Sequence, residues 1–305
     1  MNEQKNLYLA IGISIAIIIF FQILLPSQPI QSPPLDQSET LEPATSIDGE
    51  TNQVIKEVQS RDDVINNTKR VSFKNSSIEG SINLKGAIID DLILSKYKTS
   101  LEPESKNIQL LSPDGTANPY YVEIGWKELN DRGKIELPNL ETEWNSDGLS
   151  LTPSTPITLT WKNNQGVTFK IIYSIDDEYM FTITQEIINN DNDTAEVFPY
   201  RLIKRINTPD TINFFILHEG LISLINDELL EKDYDDIEED CNSSLKTKKS
   251  FCNNKSQGGW LGFTDKYWMS TLIPDPEQSI NINYRHGNDG RDSYRAGYVG
   301  QVFNI

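Results

Sequence analysis

From Val71 onward the sequence predicts an all-β sandwich, on three grounds. Apolar and polar residues alternate with period two, short polar turns separate the runs, and no amphipathic stretch of four helical turns interrupts them. Such alternation packs one face of each strand and leaves the other in water, the pattern of an antiparallel meander.

Upstream of that domain, Leu7 to Leu25 reads LYLAIGISIAIIIFFQILL, nineteen residues without a formal charge. At about 1.5 Å per residue a helix of this length nearly matches a hydrocarbon core of ~30 Å. A cleavable signal peptide is the rival reading, but PSQPIQSPP follows and offers no A-x-A-like site. An uncleaved anchor is therefore expected, within a segment covering residues 1–25. Lys5 precedes the span and no basic residue follows until Lys56, so the N-terminus is expected in the cytoplasm and everything after residue 25 in the periplasm.

Residues 26–70 read as a flexible tether. Pro26, Pro29, Pro33, Pro34 and Pro43 lie here among Ser, Gln, Thr and Glu, and no aromatic residue occurs between Phe21 and Phe73. Such a stretch buries too little apolar area to offset ordering entropy. Within it, Val54 to Ile65 is expected to form a short helix.

The third segment, 71–305, holds all five tryptophans. Ile78, Gly80, Ile82 and Leu84 alternate with Glu79, Ser81, Asn83 and Lys85. Ile157, Leu159 and Trp161 do the same, and the turn Asn163-Asn164-Gln165-Gly166 follows. Val167, Phe169, Ile171, Tyr173 and Ile175 then share one face. After Asp176-Asp177-Glu178, a further strand puts Tyr179, Phe181, Ile183 and Ile187 together.

Charge and composition narrow the chemistry. With 27 basic and 45 acidic side chains the net charge is −18, and no Lys/Arg block occurs, which argues against nucleic acid and against a polybasic membrane surface. Two histidines and two cysteines in the whole chain nearly exclude a multi-His zinc site or an Fe–S cluster. G-x-S-x-G, P-loop, H-E-x-x-H and G-x-G-x-x-G patterns are missing. His218 ends an apolar run and reads as a strand-end residue rather than a general base beside Glu219. His286 reads as part of a solvent-facing hairpin turn. The acidic run Asp233 to Asp240 lacks the glycine and terminal Glu of an EF-hand and reads as a solvated loop. Cys241 and Cys252, in an exported domain, are disulfide candidates whose bridge would add about 2–3 kcal/mol.

The most distinctive stretch is Gly258-Gly259-Trp260-Leu261-Gly262-Phe263-Thr264-Asp265-Lys266-Tyr267-Trp268-Met269. Composition alone makes it an aromatic-rich strand with glycines where backbone or ring crowds in. Other pieces accompany it in order: Asn6-Leu7-Tyr8-Leu9-Ala10 at the start, Gly80 to Leu92, Leu110-Leu111-Ser112-Pro113, and Tyr120 to Trp126. Together they resemble the YidC family of bacterial membrane protein insertases over essentially the whole chain. Gly258, Gly259, Trp260, Gly262, Asp265, Tyr267 and Trp268 are then family-signature positions with a structural part.

That resemblance implies a first transmembrane helix, a tether and a periplasmic β-supersandwich similar to galactose-mutarotase-like domains. It implies a non-enzymatic role without cofactor or metal: anchor and periplasmic docking domain of an insertase that aids insertion and folding of inner-membrane proteins. The partners it implies are the Sec translocon and SecDF, the lipid bilayer, and nascent inner-membrane proteins met through a later membrane domain. No second apolar span occurs here, and the sandwich is expected to be incomplete at Ile305. The competing expectations are a membrane-anchored periplasmic binding protein and a mutarotase-like sugar-processing enzyme, the latter needing a His/acid constellation in a cleft.

Overall fold

A computed structural model describes residues 58–129, 133–189, 195–211, 217–245 and 248–304. The Leu7–Leu25 span and most of the tether lie outside the described residues. No described helix is long and apolar enough to cross a membrane.

The chain opens with helix α1 (Arg61–Asn66), capped by the Ser60 hydroxyl accepting from the Asp63 N–H. The helix expected over Val54–Ile65 is corrected at its start: Val58, Gln59 and Ser60 are not helical, Ser60 being the cap, and the helix runs from Arg61 to Asn66, while 54–57 lie outside the described residues. Strands β1 (Arg70–Lys74), β2 (Ile78–Asn83), β3 (Ile88–Lys98), β4 (Asn107–Leu111) and β5 (Tyr120–Glu128) follow. Next come β6 (Asn145–Ser146), β7 (Ser150–Leu151), β8 (Ile157–Lys162), β9 (Thr168–Ile175), β10 (Phe181–Ile188) and β11 (Glu196–Ile206). After β12 (Gly220–Ile225) and β13 (Glu228–Lys232) comes helix α2 (Tyr234–Cys241). The remaining strands are β14 (Asn253–Gln257), β15 (Trp260–Thr264), β16 (Met269–Leu272), β17 (Ser279–Asn288), β18 (Asp292–Val299) and β19 (Phe303–Asn304).

The all-β expectation holds. One 11-stranded sheet has the order β14-β17-β18-β11-β5-β3-β2-β1-β7, with β19 on β11 and β4 on β3. Two four-stranded sheets, β10-β9-β8-β6 and β13-β12-β15-β16, cover it. Side chains show which halves meet. Phe73 of β1 packs edge-on against Phe181 of β10 with centroids 5.1 Å apart, and Trp126 of β5 against Phe169 of β9 at 5.3 Å. At the other half the Tyr284 hydroxyl of β17 donates to the buried Ser223 Oγ of β12 at 2.9 Å.

The period-two reading is realised in β9, where Phe169, Ile171, Tyr173 and Ile175 are buried. Strand β2 breaks it. A bulge between Ser81 and Ile82 turns both inward, and the Ser81 hydroxyl donates to Asp91 at 2.6 Å. Asp91 also takes Arg61 at 2.6 Å, and its neighbour Asp90 pairs with Arg70, both side chains almost fully buried. Burial pushes the Asp90 carboxyl above its ordinary value of 3.8, while Arg70 pulls it back down.

Two expectations need correction. The acidic run is not a loop: Asp233 caps α2 by accepting from the Asp236 N–H, and Tyr234, Ile237 and Cys241 recur at helical spacing on the buried side. His286 is not in a solvent-facing turn either. It lies inside β17, 4 % exposed, because Ile280, Ile282, Tyr284 and His286 all fall on the strand's inner face.

Candidate functional site

The signature stretch forms the β15–β16 hairpin. Gly258 and Gly259 carry the chain from β14 in the large sheet to β15 in a small one, both at positive φ. A Cβ on Gly259 would stand 2.3 Å from the Leu224 carbonyl oxygen, and one on Gly262 would stand 2.0 Å from that of Ser270. These glycines let neighbouring backbone close on β15 from both sides. Trp260 opens the strand, paired with Leu224.

At the hairpin tip the Asp265 N–H donates to the Trp268 carbonyl at 2.7 Å. The Asp265 carboxylate accepts from Arg205 of β11 at 2.6 Å, and the same guanidinium lies 4.7 Å over the Tyr120 ring. Burial is the main cause that pushes the Tyr120 phenol up to about 12, with Arg205 opposing it. Trp268 packs against Tyr97 of β3 with centroids 4.7 Å apart, and Tyr267 is 71 % exposed. The signature thus builds one wall of a cleft.

That cleft has a volume of about 860 Å³. Ile89, Leu92, Leu94 and Val122 of the large sheet lie along it, Met180 with β10 as far as Gln185 forms one flank, and Tyr267 to Ile273 the other. Consecutive residues of both flanks line it, so each strand presents an edge rather than a face. Both β10 and β16 are terminal strands of their sheets. The Asp176 N–H bonds the Met180 carbonyl, so by antiparallel alternation Phe181, Ile183 and Gln185 turn their backbone groups away from β9. The Ile183 carbonyl accordingly accepts from Arg201 of β11 at 3.1 Å. By the same count Met269 and Thr271 turn theirs away from β15. Met180 and Met269 are each about half exposed, 51 % and 50 %, so the lips are apolar and soft.

The polar groups of the lining are mostly uncharged hydroxyls and amides, such as Thr182, Thr184, Ser270 and Gln278. Arg201 and Asp275 are its charged members. Gln185 donates to the Gly125 carbonyl at 2.7 Å, while its Oε1 and the Arg201 Nε are buried without a partner. Neither histidine lines the cleft: the His218 ring meets the Leu221 carbonyl at 2.8 Å, as suits a strand-end residue, and His286 faces Asp292. A His/acid pair for sugar chemistry is therefore not assembled there. Cys241 and Cys252 are disulfide-bonded with Cα atoms 5.6 Å apart, tying the end of α2 to the turn before β14. Sequence reasoning missed Arg201, Gln185 and the terminal strands β10 and β16 that flank the cleft. Register carries that information, and no single-residue pattern does.

Comparison with known proteins agrees with this architecture. The family model for the YidC periplasmic domain matches residues 70–305. A "Membrane protein insertase YidC" of Rickettsia bellii is 38 % identical over 306 residues, covering 99 % of this chain and 52 % of its own. One from Methylorubrum extorquens is 41 % identical over 233 residues, 76 % of this chain and 37 % of its own. One from Dinoroseobacter shibae is 36 % identical over 286 residues, 91 % and 47 % respectively. The chain thus spans about half the length, or less, of these curated relatives.

Proposed function

Because the chain belongs to the YidC family of membrane protein insertases, we propose that it supplies the anchor and periplasmic docking domain of such an insertase. In this reading residues 1–25 hold the chain in the inner membrane with the N-terminus in the cytoplasm. Residues 26–70 lead from the anchor to the domain, their last part, α1 and Arg70, already paired to it through Asp91 and Asp90, and 71–305 form a galactose-mutarotase-like β-supersandwich in the periplasm. The domain docks the Sec translocon and its SecDF subunits, while nascent inner-membrane proteins are met by a membrane domain outside this sequence.

The observation that carries the reading is the cleft between β10 and β16. Two terminal strands beside an apolar floor, one with its Ile183 carbonyl held by Arg201, suit the addition of an extended polypeptide segment by main-chain pairing. The domain's own surface lies outside the hydrocarbon and cannot lower the barrier for a polar segment crossing it. Leu7–Leu25 offers no side chain charged at neutral pH and, read as a single span, encloses no groove.

The test is expression of residues 1–305 in cells depleted of the full insertase. Crosslinking of the β domain to SecDF without rescue of growth is expected, and rescue of growth and client insertion would overturn the division of labour. Added protease should remove the domain from intact spheroplasts; full protection would overturn the orientation.

A further inference from the structure

We propose that Glu238, His286 and Asp292 form a binding site for a divalent transition-metal ion of the zinc class. The three residues come from α2, β17 and β18, and one ligand atom of each lies within 4.8 Å of the others. His286 Nε2 stands 2.9 Å from Asp292 Oδ1, and Glu238 meets the Tyr294 hydroxyl at the same place. Four ligands at about 2.0–2.2 Å around a tetrahedral ion sit about 3.3–3.6 Å apart. Here Nε2 and Oδ1 stand 2.9 Å apart and all three ligand atoms lie within 4.8 Å of one another, so side-chain rotations can bring them to that edge.

Charge and ligand chemistry agree. Two carboxylates converge on one imidazole, and among the described residues neither has a Lys or Arg ion pair. Arg285 and Arg295, opposite each other across β17 and β18, stand on the other face of the sheet. A divalent cation supplies the missing positive charge. One nitrogen and two carboxylate oxygens suit zinc and its neighbours, whereas calcium takes six to eight oxygens, which this set does not provide. The His286 side chain is 4 % exposed and that of Asp292 34 %, so the imidazole is fixed from inside while the carboxylate side opens to solvent. Water can fill the remaining position.

The surroundings prepare the ring. The Asn242 carboxamide nitrogen lies 3.2 Å from His286 Nδ1 while its oxygen accepts from the Ser244 N–H and hydroxyl, so Asn242, fixed on both sides, holds the ring in place. Asn242 follows Cys241, and the Ser243 N–H donates to the His286 carbonyl at 2.8 Å. The Cys241–Cys252 bridge therefore seats the end of α2 on β17 and sets where Glu238 points.

The experiment strips the full 305-residue chain with a chelator and titrates it with Zn2+ and Co2+, read by calorimetry and by the visible absorption of Co2+. One ion per chain is expected, with Zn2+ displacing Co2+ and Mg2+ displacing neither. Glu238→Gln and His286→Gln should each weaken binding by at least about tenfold. Absence of one-to-one binding, affinity unchanged in both variants, or displacement of Co2+ by Mg2+ would each overturn the assignment. Circular dichroism monitors folding. Should His286→Gln unfold, Glu238→Gln decides, because its side chain stands on the partly exposed side of α2.

Discussion

Asp265 at the tip of the β15–β16 hairpin and Arg205 in the middle of the large sheet hold each other at 2.6 Å. The pair joins two different sheets. Arg205 also donates to the Tyr234 hydroxyl at 3.1 Å and covers Tyr120, so one guanidinium gathers the hairpin, α2 and β5. Its side chain is 15 % exposed and that of Asp265 27 %, so the charges are largely withdrawn from water.

Removing Asp265 alone strands Arg205 among aromatic rings. Asp265→Ala should cost about 2–3 kcal/mol in urea unfolding, below the full cost of breaking a wholly buried pair because both groups keep some solvent. The change should also alter Trp268 fluorescence, since the tip loses its tie. A loss under about 0.5 kcal/mol, as for an exposed pair, would show the contact to be incidental.

Gly262→Ala tests the close approach of β16. Its Cβ would meet the Ser270 carbonyl oxygen at 2.0 Å, against backbone that cannot rotate away. The strands must separate, at a cost of about 1–3 kcal/mol or more, and hydrogen exchange at Leu261 to Leu272 should rise ahead of the remaining β-sheet. Uniform exchange across the domain would contradict a local effect.

The disulfide closes a loop with a sequence separation of 11. Cys241→Ala with Cys252→Ala should lower stability by about 2–3 kcal/mol. In the unreduced wild type neither thiol should alkylate, and modification of both would show that the bridge does not form.

Much of this architecture is legible in the sequence because one face of each strand is buried. Phe169 to Ile175 spell out their burial by alternation alone. The same rule, carried one residue past Tyr284, places His286 inside; the neighbouring Gly287-Asn288-Asp289-Gly290 draws the eye to the turn instead. Tyr234, Ile237 and Cys241 likewise give a helical period inside a run dominated by charge. The cleft was less accessible. Its flanks are terminal strands of separate sheets, and which strand ends a sheet follows from long-range pairing that local pattern does not encode. The bulge at Ser81 is of the same kind: it answers to the buried Asp91 ten residues away.

Tyr284 gives a pH-dependent reading of the inter-sheet contact. Burial pushes its phenol up to about 12 from the ordinary 10.0, with the Ser223 hydrogen bond opposing. The folded state holds the proton more tightly than the unfolded chain. The stabilisation is therefore complete below pH 10.0 and is lost as pH rises toward 12. Tyr284→Phe should remove its share of that alkaline fall in urea-unfolding free energy, the other buried tyrosines such as Tyr120 keeping theirs. At neutral pH it should cost about 1–3 kcal/mol, because Ser223 Oγ is left buried without its partner. An unchanged alkaline slope would refute the assignment to this tyrosine.

Arg70 and Asp90 provide the sharpest test of how the large sheet tolerates buried charge. Their side chains are 6 % and 5 % exposed, and Arg70 further donates to the Ser81 hydroxyl at 2.7 Å and to Thr68 at 3.0 Å. Arg70→Met removes the one influence that offsets burial most strongly, so the Asp90 carboxyl should rise further above 3.8. A raised carboxyl favours the folded state only while protonated; its contribution is present below 3.8 and disappears as pH climbs through the folded value. Arg70→Met should thus lose about 3–5 kcal/mol near neutrality and regain part of it as pH falls toward 3.8. Replacing both, Arg70→Met with Asp90→Leu, should recover most of the loss and show no such regain, because no buried carboxyl remains to titrate. If the double variant is as unstable as the single one, shape rather than charge governs this position, and the ion pair is secondary to the packing of β1 against β2 and β3.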